Sequence, residues 1–480
     1  MNFKTSKILL FVFYFGLCAL TFFSLLKYPG RGFVYIIFSI VFNGLLLTGF
    51  RKNKIFFDTF IGLFFWLGFW FKFSVILLFW GGRFIQYTGN FDFSGSAFDH
   101  ALLVSSVGAV GLVIASFIRE KEIFSYAKYH VVNEHRLIFD MYKKYRSIIL
   151  VSFVFLFVMI AVTNVWFGIY QRGGVPQTIL PFGLNGVYTW LLLFGMTSFS
   201  AVFLDCELKI KKNPYLIAFL SVLETFCSSV SMLSRGMIIN TSALILGVNE
   251  AQKTRAASIN LWFKIITLTI VIALFISSVF TVNFLRMYRD FPTDKISVSG
   301  AITGSYFRSS KLFIDRWVGI DAAMAVSSYP KLGWDLWKKA WQEKYSNVGR
   351  SFYDKEITKL TSDSLGLHFI TMPGILIFFY YPGSYVVLFF SMILLGILGA
   401  LIEIVVYKLS YSNIILCSLM AEVIAYRYAH FGYVPRQSYL LIGTIFLNVF
   451  MIYFLNKICQ HAANSKVQSL HVQERSTSER

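Results

Sequence analysis

Charged residues are scarce in this chain. They make up 14% of its 480 residues, whereas hydrophobic residues make up 56%. Soluble globular domains carry roughly 25% charged residues, and a soluble chain of this length has no way to bury so much apolar surface. The composition therefore excludes a water-soluble protein and predicts an integral membrane protein.

Cysteine is also rare, and its positions argue against two kinds of site. The five cysteines lie in apolar runs or in loops predicted to face the cytoplasm, and none lies between residues 286 and 371. No set of them has the spacing of zinc ligands, and no disulfide framework is expected. We therefore expect no metal and no other cofactor.

Alternation of apolar and polar residues is missing from the apolar runs, which are apolar on every face. A bilayer-spanning helix needs about 20 such residues, so the sequence predicts an all-α, polytopic membrane protein. The first run follows Lys4 and Lys7 but lacks a small-x-small cleavage site, so we expect an uncleaved helix. About twelve helices are predicted, at approximately 8–26, 33–50, 55–80, 99–118, 147–168, 185–205, 214–233, 236–249, 262–285, 384–407, 412–430 and 437–456.

Basic residues are unevenly distributed between the predicted loops, and this asymmetry gives an orientation. With the N-terminus in the cytoplasm, the inner segments hold about half of the 44 Lys and Arg, and the short outer loops hold few. This distribution of basic residues across the membrane explains the net charge of +20, so the charge is no evidence for nucleic-acid binding. We expect helices 1–9 in residues 1–285, a large periplasmic loop in 286–371, helices 10–12 in 372–457 and a cytoplasmic tail in 458–480.

The large loop contains two stretches with helical spacing. One consists of Phe313, Trp317, Ile320 and Met324. The other is an aromatic stripe interspersed with lysines, at Trp334, Trp337, Trp341 and Tyr345. Tryptophan and tyrosine flanked by lysine are typical of the lipid headgroup level, so we expect the second stretch to lie on the membrane.

Several arginines are predicted near the outer membrane surface, on different segments. Arg235 lies in Ser234-Arg235-Gly236 between two apolar runs, and the others are Arg286, Arg289, Arg316 and Arg427. A guanidinium group presents a rigid fork of donors that matches a phosphate. These five are candidate ligands for a lipid-linked diphosphate. The alternative is that they reach toward ordinary lipid headgroups.

Three residues of the large loop are candidates for acid–base chemistry, namely His368, Asp315 and Asp321. A histidine or a carboxylate can take the proton of a sugar hydroxyl. The alternative for each is a structural role. His430 and Glu224 are further candidates, and Glu224 lies within a predicted helix, where an ionisable residue is costly unless it is paired.

In its architecture the whole chain resembles the bacterial O-antigen polymerases, which join oligosaccharide repeat units carried on undecaprenyl diphosphate. The resemblance rests on about a dozen predicted helices, the large loop late in the chain and Ser234-Arg235-Gly236. It also rests on residues 315–321, of sequence DRWVGID, and on Met372-Pro373-Gly374 followed by Tyr381-Pro382-Gly383-Ser384.

This resemblance implies an inverting, metal-independent glycosyl transfer at the periplasmic face of a bacterial inner membrane, with both termini in the cytoplasm. The growing glycan would pass from its lipid diphosphate onto the next lipid-linked unit. Periplasmic arginines would hold the diphosphate, and His368 or an acid of the loop would assist the acceptor hydroxyl. The implied partners are the undecaprenyl-diphosphate-linked glycan, the bilayer and a chain-length regulator protein.

Two other functions remain open on the sequence. An O-antigen ligase would share the lipid donor and the arginines. A glycan flippase or transporter typically has repeats, broken helices and midplane polar sites; here there is no internal repeat, and the midplane charges are few (Lys72, Glu224, Glu403 and Glu422). A metal-dependent dolichol-type transferase is disfavoured, because the first outer loop, residues 27–32, contains no acid.

Overall fold

The computed structural model describes most of the chain. The described residues are 3–82, 84, 86–124, 126, 137–172, 176–210, 214–234, 236–254, 269, 272–274, 276–285, 314, 317–345, 350–360 and 371–478. Every regular element within them is a helix, and they contain no strand. The predicted all-α class is confirmed for this part of the chain, as expected where lipid obliges backbone N–H and C=O groups to pair within each helix.

The described residues form sixteen α-helices, numbered here in chain order. Their bounds are α1 Phe3–Lys27, α2 Gly32–Thr48, α3 Phe56–Phe65, α4 Lys72–Phe79, α5 Gly95–Ile118, α6 Leu137–Phe167, α7 Leu184–Trp190, α8 Met196–Ile210, α9 Pro214–Ser231, α10 Ile238–Thr254, α11 Ile320–Ser327, α12 Trp334–Trp341, α13 Ile375–Phe378, α14 Tyr385–Leu409, α15 Ile414–Ala429 and α16 Ser438–Ser478. Single π-helical turns join α3 to α4 (Trp66–Phe71) and α7 to α8 (Leu191–Gly195), so each pair forms one continuous rod.

Within the described part of the chain, six helical stretches are long and apolar enough to cross a membrane. They are Phe56–Phe79, Gly95–Ile123, Ile138–Phe167, Pro181–Ile210, Tyr385–Leu409 and Pro435–Ile458. Shorter apolar helices occupy Val12–Lys27, Gly32–Thr48, Tyr215–Ser231 and Ile272–Leu285. The chain is therefore a helical membrane protein.

Helix α15 lies at the centre of the bundle. It packs against α3, α8, α10 and α14, and most of its side chains are buried. Polar side chains near its C-terminal end therefore face protein rather than lipid. This placement decides where a site can form, because a charged group in this position must meet a partner, a cavity or a ligand.

The segment 317–345, which contains α11 and α12, is joined to the bundle through a buried ion pair. Lys72, the first residue of α4, donates a hydrogen bond to the Asp321 carboxylate of α11, and both side chains are almost fully buried. Lys72 Nζ also donates to the Trp317 carbonyl oxygen at 3.1 Å. Gly68 permits this approach, because a Cβ atom there would overlap the carbonyl oxygen of Val318.

Three of the four residues of the aromatic stripe lie in a helix, α12, as predicted, and Tyr345 lies beyond its end. Much of this stripe contacts protein. Trp337 and Trp341 of α12 stack with ring centroids 5.4 Å apart, and both contact the ring of Phe378. Trp334, at the start of the helix, is 54% exposed. Two of the three tryptophans thus pack α12 against α13. Periodicity alone did not reveal this contact, because it predicts which face of a helix is apolar but not which element packs on that face.

Candidate functional site

A cavity of about 470 Å³ lies at the end of the bundle where α15 ends and α16 begins. Its walls come from the loop after α6, from α7 and the π-helical turn that follows it, from the start of α10, and from α15 and α16. Small-molecule sites typically occupy about 300–1,000 Å³ and combine apolar walls with a few polar groups. The size and composition of this cavity fit that description.

The spacing of residues on α15 brings its polar side chains to one wall. Glu422, Tyr426 and His430 follow one another at intervals of four, as do Val423 and Arg427, and all five line the cavity. Residues four apart share a helix face. The carboxylate of Glu422, the guanidinium group of Arg427 and the imidazole of His430 therefore lie together at one end of a largely apolar helix.

Arg172 reaches the same cavity from the loop after α6. Its backbone N–H donates to the Met232 carbonyl oxygen at 2.9 Å, and its Nη1 donates to Ser234 Oγ at 3.3 Å. The guanidinium group lies 5.4 Å from the ring centroid of Tyr426. A Cβ atom at Gly236 would lie 2.9 Å from the Tyr426 hydroxyl oxygen, so glycine at this turn leaves room for the arginine.

Arg427 presents its guanidinium group to the cavity from α15. Among the described residues it has no hydrogen-bonding or ion-pair partner in the protein, and Arg172 is close enough to repel it electrostatically. Two like charges facing one concave site are costly when the site is empty, and an anion between them removes that cost. The pair is therefore a candidate site for an anion.

Glu422 supplies the acid of the site. Its side chain is 2% exposed, its Oε2 atom has no hydrogen-bond partner in the described structure, and the nearby positive charge is that of Arg172. Trp190 also lines the cavity, and its Nε1 donor likewise has no partner in the described structure. Buried polar groups are nearly always hydrogen-bonded, so these two atoms are candidates for contact with a ligand.

His430 is held by α15 itself. Its Nδ1 lies 3.0 Å from the Tyr426 carbonyl oxygen, and its ring stacks on the Tyr426 ring with centroids 4.2 Å apart. This interaction fixes the ring orientation and favours the tautomer with a proton on Nδ1. The imidazole thus forms a rigid part of the wall.

The structure places two of the eight predicted site residues. Arg427 lines the cavity, whereas Asp321 is buried against Lys72 in the junction between α4 and α11 and is not part of this wall. The other six lie outside the described residues: Arg235, Arg286, Arg289, Asp315, Arg316 and His368. Their predicted roles stay predictions.

The neighbours of Arg235 are nevertheless at the cavity. Gly236 lines it, and Ser234 accepts a hydrogen bond from Arg172.

The sequence analysis did not select Arg172, Glu422 or Trp190. Glu422 carried a signal, since an ionisable residue within an apolar helix is costly unless it is paired, but Trp190 carried none. Glu224, the other acid weighed inside a helix, is fully buried and accepts hydrogen bonds from Ser228 and Thr197.

Glu343, which follows α12, is hydrogen-bonded to the connection between α15 and α16, and this connection borders the cavity. Its Oε1 accepts the Phe352 N–H at 2.5 Å, and its Oε2 accepts the Val434 N–H at 3.1 Å. Val434 has a φ of 45°, a left-handed conformation that is unfavourable for a β-branched residue. The carboxylate therefore holds a strained residue between α15 and α16, close to His430.

We expect Glu343→Gln to flatten the pH dependence of stability. Burial raises the pKa of the Glu343 carboxyl above its ordinary value, although its two N–H donors act in the opposite direction. Folding therefore disfavours the charged form. Stability is greatest below the ordinary pKa of about 4.3 and falls as the pH rises through the raised value.

The measurement is the midpoint of thermal unfolding in detergent between about pH 4 and 8. Burial also raises the pKa of Asp354, so part of the slope should persist in the Gln variant. Asp335→Asn, at an exposed position of α12, is the control and should follow the wild type. Parallel curves for wild type and Glu343→Gln would contradict the assignment.

No group of three or more His, Cys, Asp or Glu side chains suited to a metal ion occurs within the described residues. Comparison of the chain with known proteins gives no relative: no protein-family model, no curated protein and no solved structure matches it.

Proposed function

We propose that this chain is a membrane glycosyltransferase that polymerises oligosaccharide repeat units carried on undecaprenyl diphosphate, such as those of O-antigen or a related surface polysaccharide. The observation that carries the proposal is the pair of guanidinium groups, from Arg172 and Arg427, in one cavity at the end of a helical membrane bundle. Guanidinium binds phosphate oxygens through a bidentate fork. A lipid diphosphate is the anion that a membrane-embedded site of this size can take from the bilayer.

The walls of the cavity suit such a lipid. Helix α7 and the first turn of α16 contribute to them, and both carry exposed apolar side chains, with Leu184 and Val187 each 43% exposed and Leu440, at the cavity, 52% exposed. A polyprenyl tail can remain in contact with lipid at these helices. Its diphosphate can then enter the cavity and meet the arginines.

The positive charge of Arg172 and Arg427 has a direct role in the proposed reaction. Cleavage of the bond between the sugar and the diphosphate leaves negative charge on the leaving oxygen, and two fixed guanidinium groups stabilise that charge without a metal. Attack by an acceptor hydroxyl from the opposite face inverts the anomeric centre. The proposal extends to twelve membrane spans, favoured by the apolar runs, and to cytoplasmic termini and a periplasmic segment 286–371, favoured by the distribution of basic residues. The bacterial inner membrane is part of the proposal because the resemblance to O-antigen polymerases implies it.

The orientation predicts which engineered cysteines react from outside. In a background without the five native cysteines, Lys344→Cys should react with a membrane-impermeant thiol reagent in cells whose outer membrane is permeable. Lys52→Cys, at the opposite end of the bundle and also exposed, should react only after the inner membrane is lysed. The reverse pattern would invert the proposed orientation.

Deletion of the gene tests the function itself. A polymerase is not required for flipping or ligation, so the mutant should display lipopolysaccharide capped with one repeat unit and no ladder. A flippase defect leaves bare core, with the lipid-linked unit inside the cell. A ligase defect leaves polymer on undecaprenyl diphosphate and none on the core. Either of the last two outcomes rejects the polymerase.

A further inference from the structure

Two polar groups of the cavity have no hydrogen-bond partner, and neither is used for binding the diphosphate. Glu422 Oε2 is an acceptor on a side chain that is 2% exposed, and Trp190 Nε1 is a donor shielded from solvent. Both residues line the cavity that holds the two arginines. A carboxylate oxygen repels a diphosphate, so its presence beside Arg172 requires another explanation.

We propose that Glu422 and Trp190 bind the acceptor sugar, and that Glu422 is the catalytic base that takes the proton of the attacking hydroxyl. The inference rests on the proposed function. An unpaired acceptor and an unpaired donor complement two hydroxyl groups of one sugar, and an indole ring offers a flat apolar face to the sugar ring. The acceptor is thus a hydroxyl-bearing glycan whose reacting oxygen meets Glu422 Oε2.

In the proposed transfer, every bond that forms or breaks and the proton that moves are accounted for by the two substrates, Glu422 and the two arginines. The acceptor oxygen forms a bond to the anomeric carbon of the donor sugar as the bond from that carbon to the diphosphate oxygen breaks. The electron pair leaves with undecaprenyl diphosphate beside Arg172 and Arg427, and the hydroxyl proton passes to Glu422 Oε2. Glu422 later returns this proton to water.

His430 also lines the cavity. Its Nδ1 is engaged with the Tyr426 carbonyl oxygen and its ring is fixed by stacking, so Nε2 is the only ring nitrogen left that can act as a base. The competing explanation for Glu422 is a structural one, in which the carboxylate only compensates the buried charge of Arg172. The two explanations differ in what the neutral isostere Gln does to lipid binding.

Glu422→Gln is the decisive variant, and the binding probe is undecaprenyl diphosphate itself. A base contributes about 100- to 10,000-fold to a proton-transfer step. We therefore expect chain extension in membranes to fall at least about 100-fold, while the thermal-unfolding midpoint is kept and undecaprenyl diphosphate binds as well as or better than in wild type. Glu422→Asp keeps the carboxylate and should retain part of the activity. Glu224→Gln, a buried acid with hydrogen-bond partners elsewhere, should retain all of it.

Chain extension within about threefold of wild type in Glu422→Gln overturns the proposal, because a base contributes far more. Loss of folding or of undecaprenyl diphosphate binding in this variant also overturns it, in favour of charge compensation. Failure of the proposed function has a different signature, in which Arg172→Ala and Arg427→Ala bind undecaprenyl diphosphate like the wild type.

Trp190→Phe isolates the indole donor. It keeps an aromatic ring and removes the N–H, so we expect the KM for the lipid-linked acceptor to rise about fivefold, the effect of one neutral hydrogen bond, with little change in kcat. Trp166→Phe, at an 80% exposed position of α6, is the matched control. An unchanged KM in Trp190→Phe removes Trp190 from the acceptor site.

Discussion

Replacing Arg427 with alanine is expected to abolish the polymer ladder while the protein remains folded in the membrane. The side chain has no protein partner among the described residues and faces the cavity, so its removal leaves nothing unpaired. A hydrogen bond to a charged group contributes about 1.5–3 kcal/mol. Because the guanidinium group can donate two such bonds to the diphosphate, the substitution should lower undecaprenyl diphosphate affinity by about 100-fold or more. Arg172→Ala should act in the same direction.

A lysine variant tests whether the guanidinium geometry, and not only its charge, is needed for binding. Arg427→Lys keeps the charge and loses the planar fork, so it should recover only a small part of the binding. Arg436→Ala is the control, because Arg436 is exposed nearby and does not line the cavity. Undecaprenyl diphosphate binding is measured with purified protein, and the ladder is measured in cells. A full ladder in both Arg172→Ala and Arg427→Ala would exclude these residues as the diphosphate ligands.

The second large effect is expected at the junction between α4 and α11. Asp321→Asn leaves the Lys72 ammonium group buried without its counter-charge, and removal of one partner of a buried ion pair typically costs about 3–5 kcal/mol. We expect little folded protein from Asp321→Asn or from Lys72→Met alone. The yield of monodisperse protein and the midpoint of thermal unfolding report this destabilisation.

The double variant decides what Asp321 does. Lys72→Met with Asp321→Asn removes both charges, and neutral replacement of a buried pair is often tolerated. We expect it to recover folded protein and the polymer ladder, because Asp321 pairs with Lys72 and does not line the cavity. Recovery of folding without the ladder would instead support the catalytic role that the sequence analysis assigned to Asp321.

A surface pair provides the reference for this experiment. Lys121 and Glu122 are 3.7 Å apart with side chains 85% and 64% exposed, and such pairs contribute about 0–1 kcal/mol. Lys121→Ala should therefore leave the unfolding midpoint almost unchanged. Single variants of the buried pair that are as stable as Lys121→Ala would show that Lys72 and Asp321 are not held together in the folded protein.

The sequence by itself determined the class of this protein and the position of most helices. In lipid, an apolar run of about 20 residues can pair its backbone N–H and C=O groups within itself only as a helix. This property depends on the run alone, so it can be predicted without knowing which segments pack around it. Arg427 was also selected from local features, because it lies at the end of an apolar run and a guanidinium group matches a phosphate.

Only the tertiary structure decided which of these groups act together. Arg172, Trp190 and Glu422 are far apart in the chain, and they meet because α15 turns one face toward the loop after α6 and toward α7. The same packing paired Asp321 with Lys72 and placed it away from the cavity. Local pattern reports the chemistry and periodicity of each segment, whereas the partner of a buried charge depends on which faces of distant helices pack together.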